Sequence, residues 1–284
     1  MHEIDFEHVG KAGLFFVASI AVVAVAKLAR DGLAFRSGRD LNELISKDDN
    51  AAVAIEQSAF FVATVVGLLG AIVVGSATIL DQVIDFFITA AYVVGALLAC
   101  ERFTLRWVLP KLDAAREVMD RGNVAVAIAR SGGLIATAFV VRAALHNDGH
   151  LWERLAWIVI GQAVLVAMTL LYQKLTPYDD VAELNKRNIA AAFPLFGLQV
   201  AVGMIVDAAL QGESGGWRAD LMSVGLDLLV AAILLPILRW LGDVLLLRGS
   251  TYAEEIARDR NAGAGVIEAA SYLAGGFAVA YFLT

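Results

Sequence analysis

One cysteine, Cys100, stands alone in 284 residues, so neither a disulfide framework nor a cysteine-rich metal site is available. Charge is scarce as well: Asp, Glu, Lys and Arg together make up 18% of the chain. The net charge of -7, with no basic stripe carrying interleaved aromatics, gives no ground for nucleic-acid binding. The first residues, Met-His-Glu-Ile-Asp-Phe-Glu-His, are acidic where a cleavable signal peptide would be basic, so no signal peptide is expected. No nucleophile, base and orienting residue occur together in a recognisable enzyme pattern, and a non-enzyme is expected, with no cofactor.

What the chain has in excess is apolar surface. Apolar residues reach 59% and mean hydropathy is +0.71, more than the interior of a soluble domain of this length can hide. A helix crossing a bilayer needs about 20 mainly apolar residues. Eight such spans are expected, near Val9–Leu28, Ala51–Gly75, Ile79–Ala99, Val124–Leu145, Trp152–Tyr172, Ile189–Leu210, Leu221–Leu241 and Ala262–Leu283. The connections at Gly75–Thr78, His146–His150 and Gln211–Trp217 are short. The connections Lys27–Lys47, Arg102–Arg121, Lys174–Arg187 and Arg239–Arg260 hold 5, 5, 3 and 4 of the 22 basic residues. The positive-inside rule turns these four toward the cytoplasm and leaves both termini periplasmic in a bacterial inner membrane. Trp107, Trp152, Trp157, Trp217 and Trp240 lie near span ends, where interfacial anchoring is expected.

An internal repeat fixes the architecture. An acidic-basic amphipathic stretch, one Asn and a helix of small and apolar residues recur four times, at Asn50, Asn123, Asn188 and Asn261. The fold expected is therefore all-α: eight transmembrane helices as four tandem helical hairpins in one membrane domain, with repeats over 1–75, 76–148, 149–213 and 214–284. The four share one orientation, which suits a pseudo-fourfold ring, or two pairs about a twofold axis. The amphipathic stretches Arg39–Asp49, Leu112–Arg121, Val181–Arg187 and Thr251–Arg260 have helical spacing and read as short surface helices. Each Asn suits a helix N-cap, satisfying backbone N–H groups that would otherwise enter hydrocarbon unpaired. A polar ring of the four asparagines at a cytoplasmic mouth is the functional alternative.

The phrase Arg121-Gly-Asn123-Val-Ala-Val-Ala-Ile-Ala, followed by Gly132-Gly133-Leu, resembles the entry motif of the YjfL-like bacterial inner-membrane family, catalogued as DUF350. The other copies are looser, with Glu56-Gln57, Pro194, and Gly263 with Gly265 as departures. The resemblance implies paired transmembrane helices and an inner-membrane location. It supplies no catalytic residues.

Ionisable groups inside the spans are the candidate site. A charge at the bilayer centre costs about 2.5–3.5 kcal/mol on insertion scales, so it usually faces protein or water. Glu56, Arg130 and Glu268 lie six or seven residues past their own Asn, about 9–10 Å into the span. Toward the other face lie Asp85, Arg142, Asp207 and Asp227, with Gln162 and Gln199 as uncharged polar groups. Inter-helix pairing would join Arg130 to Glu56 or Glu268, and Arg142 to Asp85 or Asp207. The competing reading is a water-lined route for a cation, a proton or a small cationic solute, in a channel or permease. In a ring, Glu56 and Glu268 would converge. A third reading is a non-transporting scaffold that docks a cytoplasmic protein partner through its amphipathic stretches, in an envelope-stress or membrane-organising assembly. Besides the lipid bilayer, a second copy of the chain is a partner to test, since small-residue surfaces favour helix association. His146, Asp148 and His150 lack the further ligand that a metal site needs, and no metal is expected. Pro194 and Pro236 are expected to kink their spans.

Overall fold

The computed structural model describes residues 6–71, 78–146, 151–211, 215–247 and 249–282. The expected connections at Gly75–Thr78, His146–His150 and Gln211–Trp217 fall wholly or in part outside them. Within the described residues the protein is all helical. Eleven α-helices follow in order: α1 (Phe6–Phe35), α2 (Leu41–Ser46), α3 (Ala51–Leu68), α4 (Ile79–Val108), α5 (Ala114–Met119), α6 (Val124–His146), α7 (Leu151–Leu175), α8 (Asp180–Asn185), α9 (Ile189–Ala209), α10 (Trp217–Leu245) and α11 (Ala262–Phe282). A π-helical turn, Glu254–Arg258, occupies the place before α11 that α2, α5 and α8 hold before α3, α6 and α9. Eight of these helices are long and apolar enough to cross a membrane.

The long helices form two layers. In the inner layer α3 packs on α6, α6 on α9 and α9 on α11. In the outer layer α1 lies on α3 and α4, α4 on α6 and α7, α7 on α6 and α9, and α10 on α9 and α11. The inner helices thus make a row ending at α3 and α11, which corrects the expected ring. Row geometry follows from small residues. A Cβ on Gly132 would come within 2.6 Å of Phe196 Cα, one on Gly203 within 2.7 Å of Ala136 Cα, and one on Gly197 within 2.7 Å of Ala269 Cα. Backbones that touch so closely gain dispersion contacts that bulkier residues would prevent, and this is a main source of helix association where water offers no driving force. The central helices α6 and α9 are buried on nearly every face.

The short helices are shorter than the amphipathic stretches suggest, and one physical detail ends each of them. The residue before each Asn adopts a left-handed conformation: Asp49 (φ 50°), Gly122 (φ 60°), Arg187 (φ 61°) and Arg260 (φ 52°). This residue stops the short helix and redirects the chain into the next span. The apolar sides of the short segments, including Leu41, Val118, Leu184 and Ile256, are buried against the bundle, and so are the acids Glu117, Asp180 and Glu183, while Glu43, Lys47, Arg258 and Asp259 are exposed.

One other expectation needs revision. Trp157 is only 2% exposed and stacks on Trp217 at 5.1 Å, and Trp152 also stacks on Trp217, at 5.7 Å. These rings join α7 to α10, so Trp157 is a packing residue; Trp107 and Trp240 remain exposed as anchors would be. Pro194 lies inside α9 and Pro236 inside α10.

Gly197→Val tests the close packing of the row. The added side chain meets the α11 backbone, which cannot yield as a flexible side chain would, and a loss of about 1–3 kcal/mol is expected. Thermal unfolding of the purified protein in detergent measures it.

Candidate functional site

The four asparagines are the first element of the site. Each side-chain oxygen accepts from the backbone at the start of its own long helix: Asn50 from Val53 N (3.1 Å), Asn123 from Val126 N (3.3 Å), Asn188 from Ala190 N (3.1 Å) and Asn261 from Gly263 N (3.0 Å). The amide nitrogen does a second job. Asn50 Nδ2 donates to the carbonyls of Val118 and Met119, each at 3.1 Å. Asn123 Nδ2 donates to the Leu184 carbonyl at 2.9 Å, and Asn188 Nδ2 to the Ile256 carbonyl at 2.7 Å. The first three repeats are thereby each tied to the short segment of the next. Three asparagines also donate to an acid of their own short segment, namely Glu117, Glu183 and Glu255. Asn261 stands exposed at the end of the row. The arrangement is a string of caps, and a ring around a mouth does not form.

Deeper in the bundle, the charges pair in separate groups. Arg30 of α1 donates through Nη2 to Glu56 Oε1 and through Nη1 to the Glu56 carbonyl at 3.2 Å. Its guanidinium also lies 4.7 Å from the Phe60 ring centre, a cation–π contact. Arg130 Nη2 donates to Glu101 Oε1 at 2.6 Å, and Arg130 Nη1 lies 3.1 Å from Glu56 Oε2. Arg130 Nη1 also donates to the Ala114 carbonyl at 3.1 Å. Two acids and two arginines thus form one buried, charge-balanced cluster between α1, α3, α4 and α6. The second group lies at the other end of the row. Arg239 Nη1 is 2.9 Å from Glu268 Oε1, and Tyr272 donates its hydroxyl to the same oxygen at 2.9 Å. Glu56 and Glu268 therefore do not converge, because α3 and α11 are opposite ends of the row.

Toward the opposite face, Arg142 Nη2 lies 3.5 Å from Asp207 Oδ2, which also accepts from Gln211 Nε2 at 3.0 Å. Asp85 is half-buried on α4, and Asp227 is buried on α10 without an ion pair among the described residues. Between the two charge layers, Thr104 donates to Gln162 Oε1 at 2.8 Å, and the space between Glu101 and Gln199 measures about 10 Å³. That is room for about one water. On α8, at the membrane boundary, burial and then the charge of Glu268 hold the Asp180 carboxyl well above the usual carboxylate range.

Arg30, Glu101 and Arg239 escape a reading of hydropathy alone because they sit near the ends of long outer helices, in segments that look like basic connections. The signal that reveals two of them is the offset between chain halves. Asn50 and Asn188, Asn123 and Asn261, Glu101 and Arg239, and Arg130 and Glu268 are all separated by 138 residues. The pair Glu101–Arg130 in the first half is thus the pair Arg239–Glu268 in the second, with the signs exchanged.

A cap that is buried and shared by two repeats should matter more than one that is exposed at an end. Asn123→Ala is expected to cost about 2 kcal/mol, and Asn261→Ala about 0.5 kcal/mol. Denaturant titration of both variants in detergent micelles compares them.

The comparisons with known proteins agree with this membrane architecture. The chain is 24% identical over 180 residues to a "UPF0719 transmembrane protein" of Aquifex aeolicus (strain VF5), covering 60% of this chain and 64% of that protein. It is 27% identical over 122 residues to the "UPF0719 transmembrane protein YshE" of Bacillus subtilis (strain 168), covering 43% of this chain and 91% of that protein. No solved structure matches. The protein is an integral, multi-pass membrane protein. Matches over residues 4–145, 78–169 and 148–283 show that the chain belongs to the family described as Domain of Unknown Function (DUF350).

Proposed function

We propose that this protein is a non-conducting, non-enzymatic scaffold of the bacterial inner membrane, with both termini periplasmic and the row of short helices turned to the cytoplasm. The observation that carries the reading is the exchange of sign between Glu101–Arg130 and Arg239–Glu268. A carboxylate that serves a permeating cation must keep its charge and its place. A pair that holds two helices together must keep only its complementarity. Reversal at equivalent positions fits the second requirement, and so does the balanced cluster of Arg30, Glu56, Glu101 and Arg130.

The orientation rests on the basic connections. The string of Asn bonds links the four short segments into one surface, with apolar sides and the acids Glu117, Asp180 and Glu183 held in the bundle and a set of paired charges exposed. Exposed Glu43, Lys47, Arg258 and Asp259 belong to that surface. A partner that recognises it would be a cytoplasmic protein meeting alternating charge rather than an apolar groove.

Two measurements test the scaffold reading. Liposomes holding the purified protein should show no more proton, sodium or potassium flux than protein-free liposomes. Saturable flux that is lost in Glu56→Gln at equal insertion would restore the cation pathway. Separately, Glu268→Arg should destabilise the bundle by about 3–5 kcal/mol, since it leaves Arg239 facing a like charge. Adding Arg239→Glu should recover more than half of that loss in the same unfolding assay.

A further inference from the structure

The first half of the chain contains a cavity of about 440 Å³ between α1 and α4, closed below by α3 and α6 and bordered by α2 and α5. Its walls carry Arg30, Arg39, Arg102, Arg106 and Arg130. These five positive charges face three acids, Glu56, Glu101 and Asp113. The floor is internally neutral, because Arg30 and Arg130 are spent on Glu56 and Glu101. At the rim, Arg39 is engaged by Asp120 at 2.7 Å. Arg102 and Arg106 are different: both are exposed, they sit one helical turn apart on α4, and neither forms an ion pair among the described residues. The positive charge left at the mouth is therefore carried by these two adjacent guanidinium groups, offset in part by Asp113.

The rest of the wall is apolar. Leu33, Leu98 and Leu105 line the cavity, and Phe35, Phe103 and Trp107 lie exposed on the flanking helices α1 and α4. A small inorganic anion would leave this apolar wall unused. The cavity combines a cationic mouth near the end of two membrane-spanning helices with an apolar lateral wall, the arrangement that accepts a lipid phosphate above its acyl chains. Guanidinium groups suit that task, since each presents a planar fork of donors to phosphate oxygens.

The second half supplies an internal control. Its corresponding cleft, about 260 Å³ between α7 and α10, has Met168 where the first has Arg30. Pro177, Trp240 and Val244 stand 138 residues after Arg39, Arg102 and Arg106. The basic mouth is thus a feature of one half of the molecule and is not required by the repeat fold.

We propose that the cleft between α1 and α4 is a binding site for an anionic phospholipid, with Arg102 and Arg106 receiving the headgroup phosphate and the acyl chains lying along the Leu98–Leu105 side of α4. The site holds whether or not the short helices dock a protein.

The test uses the full chain in a neutral maltoside detergent, with the thermal unfolding midpoint followed during titration with dioleoylphosphatidylglycerol, dioleoylphosphatidylcholine or inorganic phosphate. A saturable rise is expected with the glycerol lipid and not with the other two. In Arg102→Gln/Arg106→Gln, whose exposed side chains can change without disturbing the core, the midpoint concentration should rise about 30-fold, about fivefold for each charge removed. Arg258→Gln/Arg260→Gln, on the distant end of the same face, should titrate like the wild type. Equal responses to the two lipids, an undiminished response in the first double variant, or an equal loss in the second would overturn the site. A saturable response to inorganic phosphate alone would overturn the lipid and assign the cleft to a soluble anion.

Discussion

The architecture depends on one interaction made four times: an asparagine that caps its own long helix with its oxygen while its nitrogen, in three of the four copies, grips the next short helix. A helix entering hydrocarbon carries unpaired N–H groups that water cannot reach. The Asn oxygen satisfies one or two of them, and the amide nitrogen is then fixed in direction. At Asn50, Asn123 and Asn188 that direction leads to a carbonyl of the following repeat. The same residue therefore starts a span and sets the spacing between spans. The left-handed residue before each Asn makes this possible by ending the short helix one step earlier.

Once spacing is set, the glycines and alanines of α6, α9 and α11 bring the row into backbone contact, and the outer helices pack against it. Charges inside this packed body have little room for choice. An unpaired arginine or glutamate in hydrocarbon is far more costly than a paired one, so the outer helices contribute Arg30, Glu101 and Arg239 as partners for charges on the inner row. The exchange of sign between the halves shows how weakly the fold constrains which helix carries which charge, provided the pair is complete. The basic mouth between α1 and α4 escapes this rule, because Arg102 and Arg106 are exposed near the end of α4.

Hydropathy, repeat and charge distribution made much of this legible. The eight spans follow from apolar runs that no soluble fold would bury, and the cap role of the asparagines follows from their position ahead of each small-residue helix. Pairing of Arg142 with Asp207 and of Arg130 with Glu56 was among the alternatives that equal helical depth leaves open. Depth along an axis comes from residue counting. Direction around the axis, and the identity of the neighbour, do not.

That distinction separates the two sources of information. The sequence by itself determined the membrane class, the helical hairpins and the depth of each buried charge, because these depend on transfer free energy and a fixed rise per residue. Only the tertiary structure decided that four similar units make a row instead of a ring, that Glu56 and Glu268 lie at its opposite ends, and that Arg30, Glu101 and Arg239 complete their groups. Those outcomes depend on which glycine meets which backbone and on the rotation of each helix about its own axis, and single-chain periodicity does not encode either one.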